Sequence, residues 1–285
     1  MLSYIGGKNR QGCWLRDYVP TDTKTYVEVF GGMMWVFLKM DLKKYKNIER
    51  VIYNDIRPQN INLWRCVKDY NKLYEVSKNI PVEDSDLFKK WQKEVYEHEY
   101  DLSVNDYEMA YKYAYLLSQV WSGTNPSTGN LIKNGGYIPK GSDVYRSKFE
   151  IWRKKLIDPK FQNYIDKITV VEGLDYKEVI EKYDSPETYF YIDPPYYNCE
   201  HYYTENDFGL DDHIKLAKQI DTIKGMFTLS YYEFDLLKEW YPYNSFTPRY
   251  HWHKKAYTKN AGATKDGKQN KSVELIINNF YYELN

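Results

Sequence analysis

Asp193-Pro194-Pro195-Tyr196 is the segment of this 285-residue chain whose residue types most clearly suit chemistry. It closes the apolar, aromatic run TYFYID at 188–193. Two prolines each fix φ near about −65° and stiffen the backbone. They hold the Asp193 carboxylate and the Pro194 carbonyl beside it in a defined geometry. Tyr196 then offers a flat ring. Two acceptors and one stacking surface make a clamp for a planar, amino-bearing group.

A second constellation precedes it. The run YVEVF at 26–30 ends in Gly31-Gly32, where glycine permits a tight turn and a close approach to the backbone. The run RVIYN at 50–54 ends at Asp55, and an acid there can accept hydrogen bonds from both hydroxyls of a ribose. Glu28 lies inside the first run, where an ionisable residue needs a reason. In open α/β sheets, ligands bind beyond the carboxyl ends of strands.

The elements that must position these groups follow from the pattern. The glycine turn links the strand at 26–30 to a helix expected at 33–42 and a strand at 50–54, one βαβ unit. Helices are expected at 59–76, 87–100 and 104–120, then at 145–156 after a Gly, Asn, Ser and Pro-rich loop at 122–142. From about Lys160 the alternation resumes: strands at 167–172, 188–193, 226–230 and 273–280, with helices at 177–183, 211–222 and 233–240. The expected fold is α/β with a mostly parallel sheet, interrupted by a helical insertion.

Forty Lys and Arg balance 40 Asp and Glu, but unevenly. From 244 to 272 there are seven basic residues and one acid, and from 130 to 160 eight basic residues and three acids. From 83 to 108 nine acids face three lysines. Local positive patches on a neutral chain suit a polyanion that is bound and released. No apolar run approaches the roughly 20 residues of a membrane span, and the first eight residues contain no apolar signal core. The 32 tyrosines argue against disorder. Cys13, Cys66 and Cys199 lie far apart, which fits neither a disulfide framework nor a zinc site, so a reducing cytoplasm is the expected compartment. His251 and His253 read as a solvated polar edge and not as metal ligands.

With these residues in place, the chain resembles a known family. Asp193-Pro194-Pro195-Tyr196 is similar to the DPPY motif of amino-methyltransferases, and further segments follow the order of Dam-like DNA adenine methyltransferases. Tyr4-Ile5-Gly6-Gly7-Lys8 resembles their N-terminal motif. Val27 to Gly32 with Val36-Phe37-Leu38 resembles the cofactor loop, and Asp55 follows. Gly173-Leu174-Asp175-Tyr176 and Lys271-Ser272-Val273-Glu274-Leu275 resemble later motifs. Two positions depart from the pattern: Met34 stands where a second glycine is usual, and Ser3 where many members carry lysine.

The resemblance implies a Rossmann-like methyltransferase core at 1–61 and 167–285, and a helical DNA target-recognition lobe at 62–166. It implies S-adenosylmethionine as methyl donor and double-stranded DNA as partner, with no metal and no membrane. A companion restriction enzyme is compatible with it. Tyr4 and Lys8 would contact the cofactor, Asp55 would hold its ribose, and Asp175 would lie near its adenine. Glu28, Phe30, Gly31 and Gly32 would flank the methionine portion, and Asp193 would also contact the cofactor. Asp193, Pro194, Pro195 and Tyr196 would be catalytic, clamping the amino group of a flipped adenine. Trp121, Asn125, Lys133, Lys140, Arg146 and Lys148, with Lys265, Lys268 and Lys271, are the candidate DNA contacts. Two other readings stand beside this one: the same core acting on the amine of cytosine, and a DNA-binding relative with little or no turnover.

Overall fold

β-Branched and aromatic runs become the strands of the computed structural model, which describes Leu2, Tyr4 and residues 6–82, 84–120, 148–197, 208–243, 249–263 and 269–281. The chain divides into two compact units. One comprises Met1–Gly7 and Asp55–Gly173, the other Lys8–Asn54 and Leu174–Asn285.

The second unit is built on a sheet. Its strands are β1 (Thr25–Glu28), β2 (Arg50–Asn54), β4 (Thr188–Ile192), β5 (Met226–Tyr231), β6 (His251–Ala263) and β7 (Gln269–Asn278). Their order is β2-β1-β4-β5-β7-β6. β2, β1, β4 and β5 run parallel, and β7 is antiparallel to both β5 and β6. Every residue of β4 is buried, as a central parallel strand covered on both faces requires. The chain leaves β1 toward β2 on one side and returns as β4 on the other. The carboxyl ends of β1 and β4 therefore flank a topological switch point, where an open α/β sheet binds ligands. β1 there leads into Phe30-Gly31-Gly32 and β4 into Asp193.

In this unit the 33–42 and 233–240 helices and one strand differ from expectation. The helix at 33–42 is instead a series of turns with a 3₁₀ segment at Phe37–Lys39. Gly32 and Met34 have φ of 45° and 51°, which breaks the helix, and the Phe37 N–H bonds the Glu28 carboxylate at 2.9 Å instead of a helical carbonyl. The helix at 233–240 shrinks to Leu237–Trp240, because the Phe234 ring packs on Tyr197 and Trp240, with centroids 4.7 and 5.3 Å apart. Strand β6 was not anticipated. Its sequence is polar and lysine-rich, and β7 alone pairs with it among the described strands.

Among its described residues the first unit is helical, apart from β3 (Ile168–Glu172). Its helices run over Pro58–Lys68, Tyr70–Ser77, Ser85–Glu97, Tyr107–Gln119, Lys148–Leu156 and Pro159–Lys167. The single helix expected at 59–76 breaks at Asp69, whose carboxylate caps the following segment. Asp84, Asp106 and Asp158 cap three others, each supplying an acceptor for otherwise unpaired N–H groups. Arg153 is buried and donates to the carbonyls of Ser77, Lys78 and Ile80 at 2.7–2.9 Å. It was counted among the basic residues available to a polyanion, yet its guanidinium closes a helix end. Among the described residues no helix is long and apolar enough to cross a membrane.

Candidate active site

The turn after β1 is held from several sides within its own unit. The Gly31 N–H donates to the Asn54 carbonyl at 2.7 Å, and the Tyr53 hydroxyl donates to the Gly32 carbonyl at 3.0 Å. A side chain at Gly31 would place its Cβ 2.7 Å from that Asn54 carbonyl oxygen and still closer to the Tyr53 ring, so only glycine fits. Met34, at the position where a glycine was noted as usual, is fully buried and adopts the left-handed conformation itself. The backbone course is kept at a cost of roughly 1–2 kcal/mol.

Asn54 extends this frame. Its amide donates to the Val29 and Leu174 carbonyls and accepts from the Leu174 N–H, all within 2.9–3.0 Å. Asp175 is thereby fixed, and it caps the helix Tyr176–Tyr183 through a reciprocal pair with Glu178. Phe30 stacks on Tyr176 at 5.9 Å and meets Phe208 edge-on at 5.9 Å. Tyr176 and Phe208 carry no chemical signal in the sequence. What brings them together is the return of the chain beside the β1 turn.

Glu28 is buried in β1. Its Oε1 accepts the Tyr26 hydroxyl at 2.8 Å and the Phe37 N–H at 2.9 Å. Burial pushes its carboxyl up to about 8, partly offset by those two donors, so it is largely protonated near neutral pH.

The β4 end carries a charged cluster. Lys8 Nζ lies 3.1 Å from Asp193 Oδ1, 3.2 Å from Glu274 Oε1 and 2.6 Å from the Tyr196 hydroxyl, to which it donates. The Tyr196 hydroxyl in turn donates to Glu274 Oε1, and Ser230 Oγ donates to the same oxygen at 2.7 Å. Burial raises the Asp193 carboxyl to about 6; Lys8 pulls it down and Glu274 pushes it up. Asp193 nevertheless keeps 15% of its side chain exposed, which leaves an approach to it open. The Tyr196 ring packs edge-on against Tyr232, 4.6 Å between centroids.

The sequence-predicted residues thus fall into groups. Lys8 comes together with Asp193 and Tyr196, 185 and 188 positions further along the chain. Phe30, Gly31 and Gly32 share a frame with the segment leading to Asp175. In the other unit, the Asn60 amide donates to both Tyr4 Oη and Asp55 Oδ2 at 2.8 Å, while Asp55 Oδ1 accepts the Arg57 N–H at 2.8 Å. Trp121, Asn125, Lys133, Lys140, Arg146, Lys265 and Lys268 lie outside the described residues, as does the side chain of Lys271. Lys148 is partly buried at the start of its helix, and that burial lowers its affinity for a proton. In the second basic segment, Arg249 pairs with Asp221 at 2.7 Å and Lys254 with Glu233 at 2.6 Å. Among the described residues no cluster of His, Cys, Asp or Glu could hold a metal ion. Sequence reasoning missed Glu274 as part of the site, since it lies in a run otherwise read only as an apolar strand.

This geometry can be set beside known proteins. The sequence profile of the D12 class N6 adenine-specific DNA methyltransferases matches residues 4–260. The chain is 22% identical over 287 aligned positions to the type II methyltransferase M.CviBI of Paramecium bursaria Chlorella virus NC1A, covering 98% of this chain and 99% of that protein. It is 26% identical over 237 positions to the type II methyltransferase M.MjaIII of Methanocaldococcus jannaschii, covering 76% and 77% of the two chains.

Proposed function

The chain belongs to the D12 class N6 adenine-specific DNA methyltransferases, and from that premise we propose how its own residues methylate DNA. The enzyme transfers a methyl group to the exocyclic nitrogen of adenine at a specific DNA site. The observation that carries the residue assignment is Asp193, partly exposed at the end of β4 and beside Tyr196 and Lys8.

S-Adenosylmethionine is the proposed donor, supplying an electrophilic methyl on a sulfonium. The turn after β1 suits it: a backbone course that only glycine can follow at Gly31, with an aromatic face at Phe30 and Tyr176. Phe30, Gly31 and Gly32 would flank its methionine portion and Asp175 its adenine. Asp55, oriented by Arg57 and Asn60, would accept from the ribose. Glu28 supports the turn by binding the Phe37 N–H. Tyr4 is the further expected contact to the cofactor, while Lys8 faces Asp193.

The adenine nitrogen is a poor nucleophile because its lone pair is delocalised into the ring. Asp193 and the Pro194 carbonyl would accept both of its N–H bonds and so favour a pyramidal nitrogen. The gain comes from positioning and from acceptors fixed before the reaction begins. Pro195 stiffens the turn and Tyr196 borders the site. The target base lies inside the duplex and must leave the stack to reach this clamp.

We assign target recognition to residues 62–166, with the residues named above as candidate contacts: Trp121, Asn125, Lys133, Lys140, Arg146 and Lys148. Lys265, Lys268 and Lys271 would add phosphate contacts from the second basic segment. A companion restriction enzyme would fit the type II relatives. Incubation with labelled S-adenosylmethionine and a mixed-sequence duplex pool, followed by mapping of the modified bases, tests the reading. N6-methyladenine in one sequence context is the expected result. Label on cytosine, or none with the cofactor bound, would replace it.

A further inference from the structure

Glu274 is a buried acid in β7 between Val273 and Leu275, and the assignment above gives it no task. One of its oxygens is crowded. Oε1 accepts the Tyr196 phenol and Ser230 Oγ and lies 3.2 Å from Lys8 Nζ, whereas Oε2 is buried and has no hydrogen-bond partner among the described residues. A buried carboxylate oxygen left without a donor calls for an explanation. Lys8 stands almost equidistant from Glu274 and Asp193, at 3.2 and 3.1 Å.

We propose that Glu274 is a positioning residue for methyl transfer: it shares Lys8 with Asp193, and so keeps an Asp193 oxygen available to the target amino group. The inference rests on the reading that Asp193 accepts that amino group. Without the Glu274 charge, Lys8 settles on Asp193 and competes with the base for the acceptor. An ammonium donates but cannot accept, so it cannot share Asp193 except by occupying it.

The charges facing Asp193 set a distinctive signature. The charged groups are Lys8 in the N-terminal segment and Glu274 on β7, and the neutral titratable groups beside them are Tyr191 on β4, Tyr196 in the following turn and Glu28 on β1. Glu274 is one of the groups that raise Asp193, so neutralising it lets Asp193 ionise at lower pH. Activity then falls while its acid limb moves downward. Exposure of Asp193 by damage to the fold would also lower the limb, since burial is what raises it, so the double variant below separates the two.

The test compares the full-length enzyme with Glu274→Gln, Glu274→Asp, Lys8→Met and the Lys8→Met/Glu274→Gln pair. Methyl transfer from labelled S-adenosylmethionine to the mapped duplex site is followed across pH. For Glu274→Gln we expect kcat to fall by about a hundredfold, the scale for misplacing a reacting group by roughly 1 Å. KM for the cofactor should stay unchanged and the acid limb should move below that of the wild type. In the Lys8→Met background the same change should cost little more. Glu274→Asp keeps the charge and should keep the limb, which decides the matter if the Gln variant does not fold. Wild-type kcat in Glu274→Gln, an unmoved limb, or fully additive losses in the double variant would overturn the inference. Asp193→Ala, run alongside, separates the two claims. If it remains active, the reading of Asp193 itself fails; if it alone is inactive, only the role of Glu274 does.

Discussion

Asp55 and Glu274 are both buried acids, one just after β2 and the other within β7, and their surroundings are opposite in kind. Each Asp55 oxygen has its own donor, the Arg57 N–H and the Asn60 amide. Asn60 is itself completed by the Tyr113 hydroxyl at 2.9 Å. Glu274 has one crowded oxygen and one without a partner among the described residues, and it competes with Asp193 for a single lysine. A closed network of this kind holds a side chain in one place. An open one leaves a buried group short of donors, and it stands at the β4 end where chemistry is expected. Glu28 belongs with the closed kind, being engaged by Tyr26 and Phe37.

The sharpest way to break this contrast is through pH. Glu28 has a folded pKa of about 8 against an ordinary 4.5. Its contribution to stability is therefore fully present below pH 4.5 and is lost as pH rises toward 8, by about 1.4 kcal/mol per pH unit within that window. Glu28→Gln keeps the acceptor oxygen and removes the titration. Urea denaturation between pH 5 and 8 should show the wild type losing stability relative to the variant as pH rises. Parallel curves would mean that Glu28 is not held protonated.

A smaller effect is expected in the closed network of the helical unit. Asn60→Leu strips partners from Asp55 and Tyr113 and should cost about 1–3 kcal/mol in denaturant melts. Glu274→Gln, in the open network, should cost less stability and more activity. Equal losses of stability from the two variants would erase the distinction. The smallest effect belongs to the basic segments. Lys265→Ala should weaken every duplex alike and flatten the salt dependence by about one unit. Discrimination between the target and a one-mismatch duplex should stay unchanged, and a change there would mean that Lys265 reads a base.

Much of this was legible in the residues themselves. β1, β2, β4 and β5 are short β-branched or aromatic runs closed by Gly, Asp or Ser-Tyr, and local pattern suffices to find them. Asp193-Pro194-Pro195-Tyr196 announces its chemistry by composition. β6 was hidden because half-exposed polar residues give no apolar alternation. The 33–42 segment misled because its apolar residues face the core through turns, with Met34 in a conformation that sequence assigns to glycine. Glu274 was illegible as a site residue because its meaning depends on the pairing of β7 with β5, which sets it beside Ser230 and Tyr196. Nor could local reasoning bring Lys8 to Asp193, a pairing that only the folded sheet creates.

The central claim is that Asp193 accepts the amino group of the target adenine. It is tested most directly by measuring methyl transfer to DNA by Asp193→Ala alongside cofactor affinity. The account predicts a loss of at least about a hundredfold in transfer, the scale of one fixed polar group in a reaction site, with S-adenosylmethionine still bound and the fold intact. Transfer at the wild-type rate by a folded Asp193→Ala enzyme would contradict it.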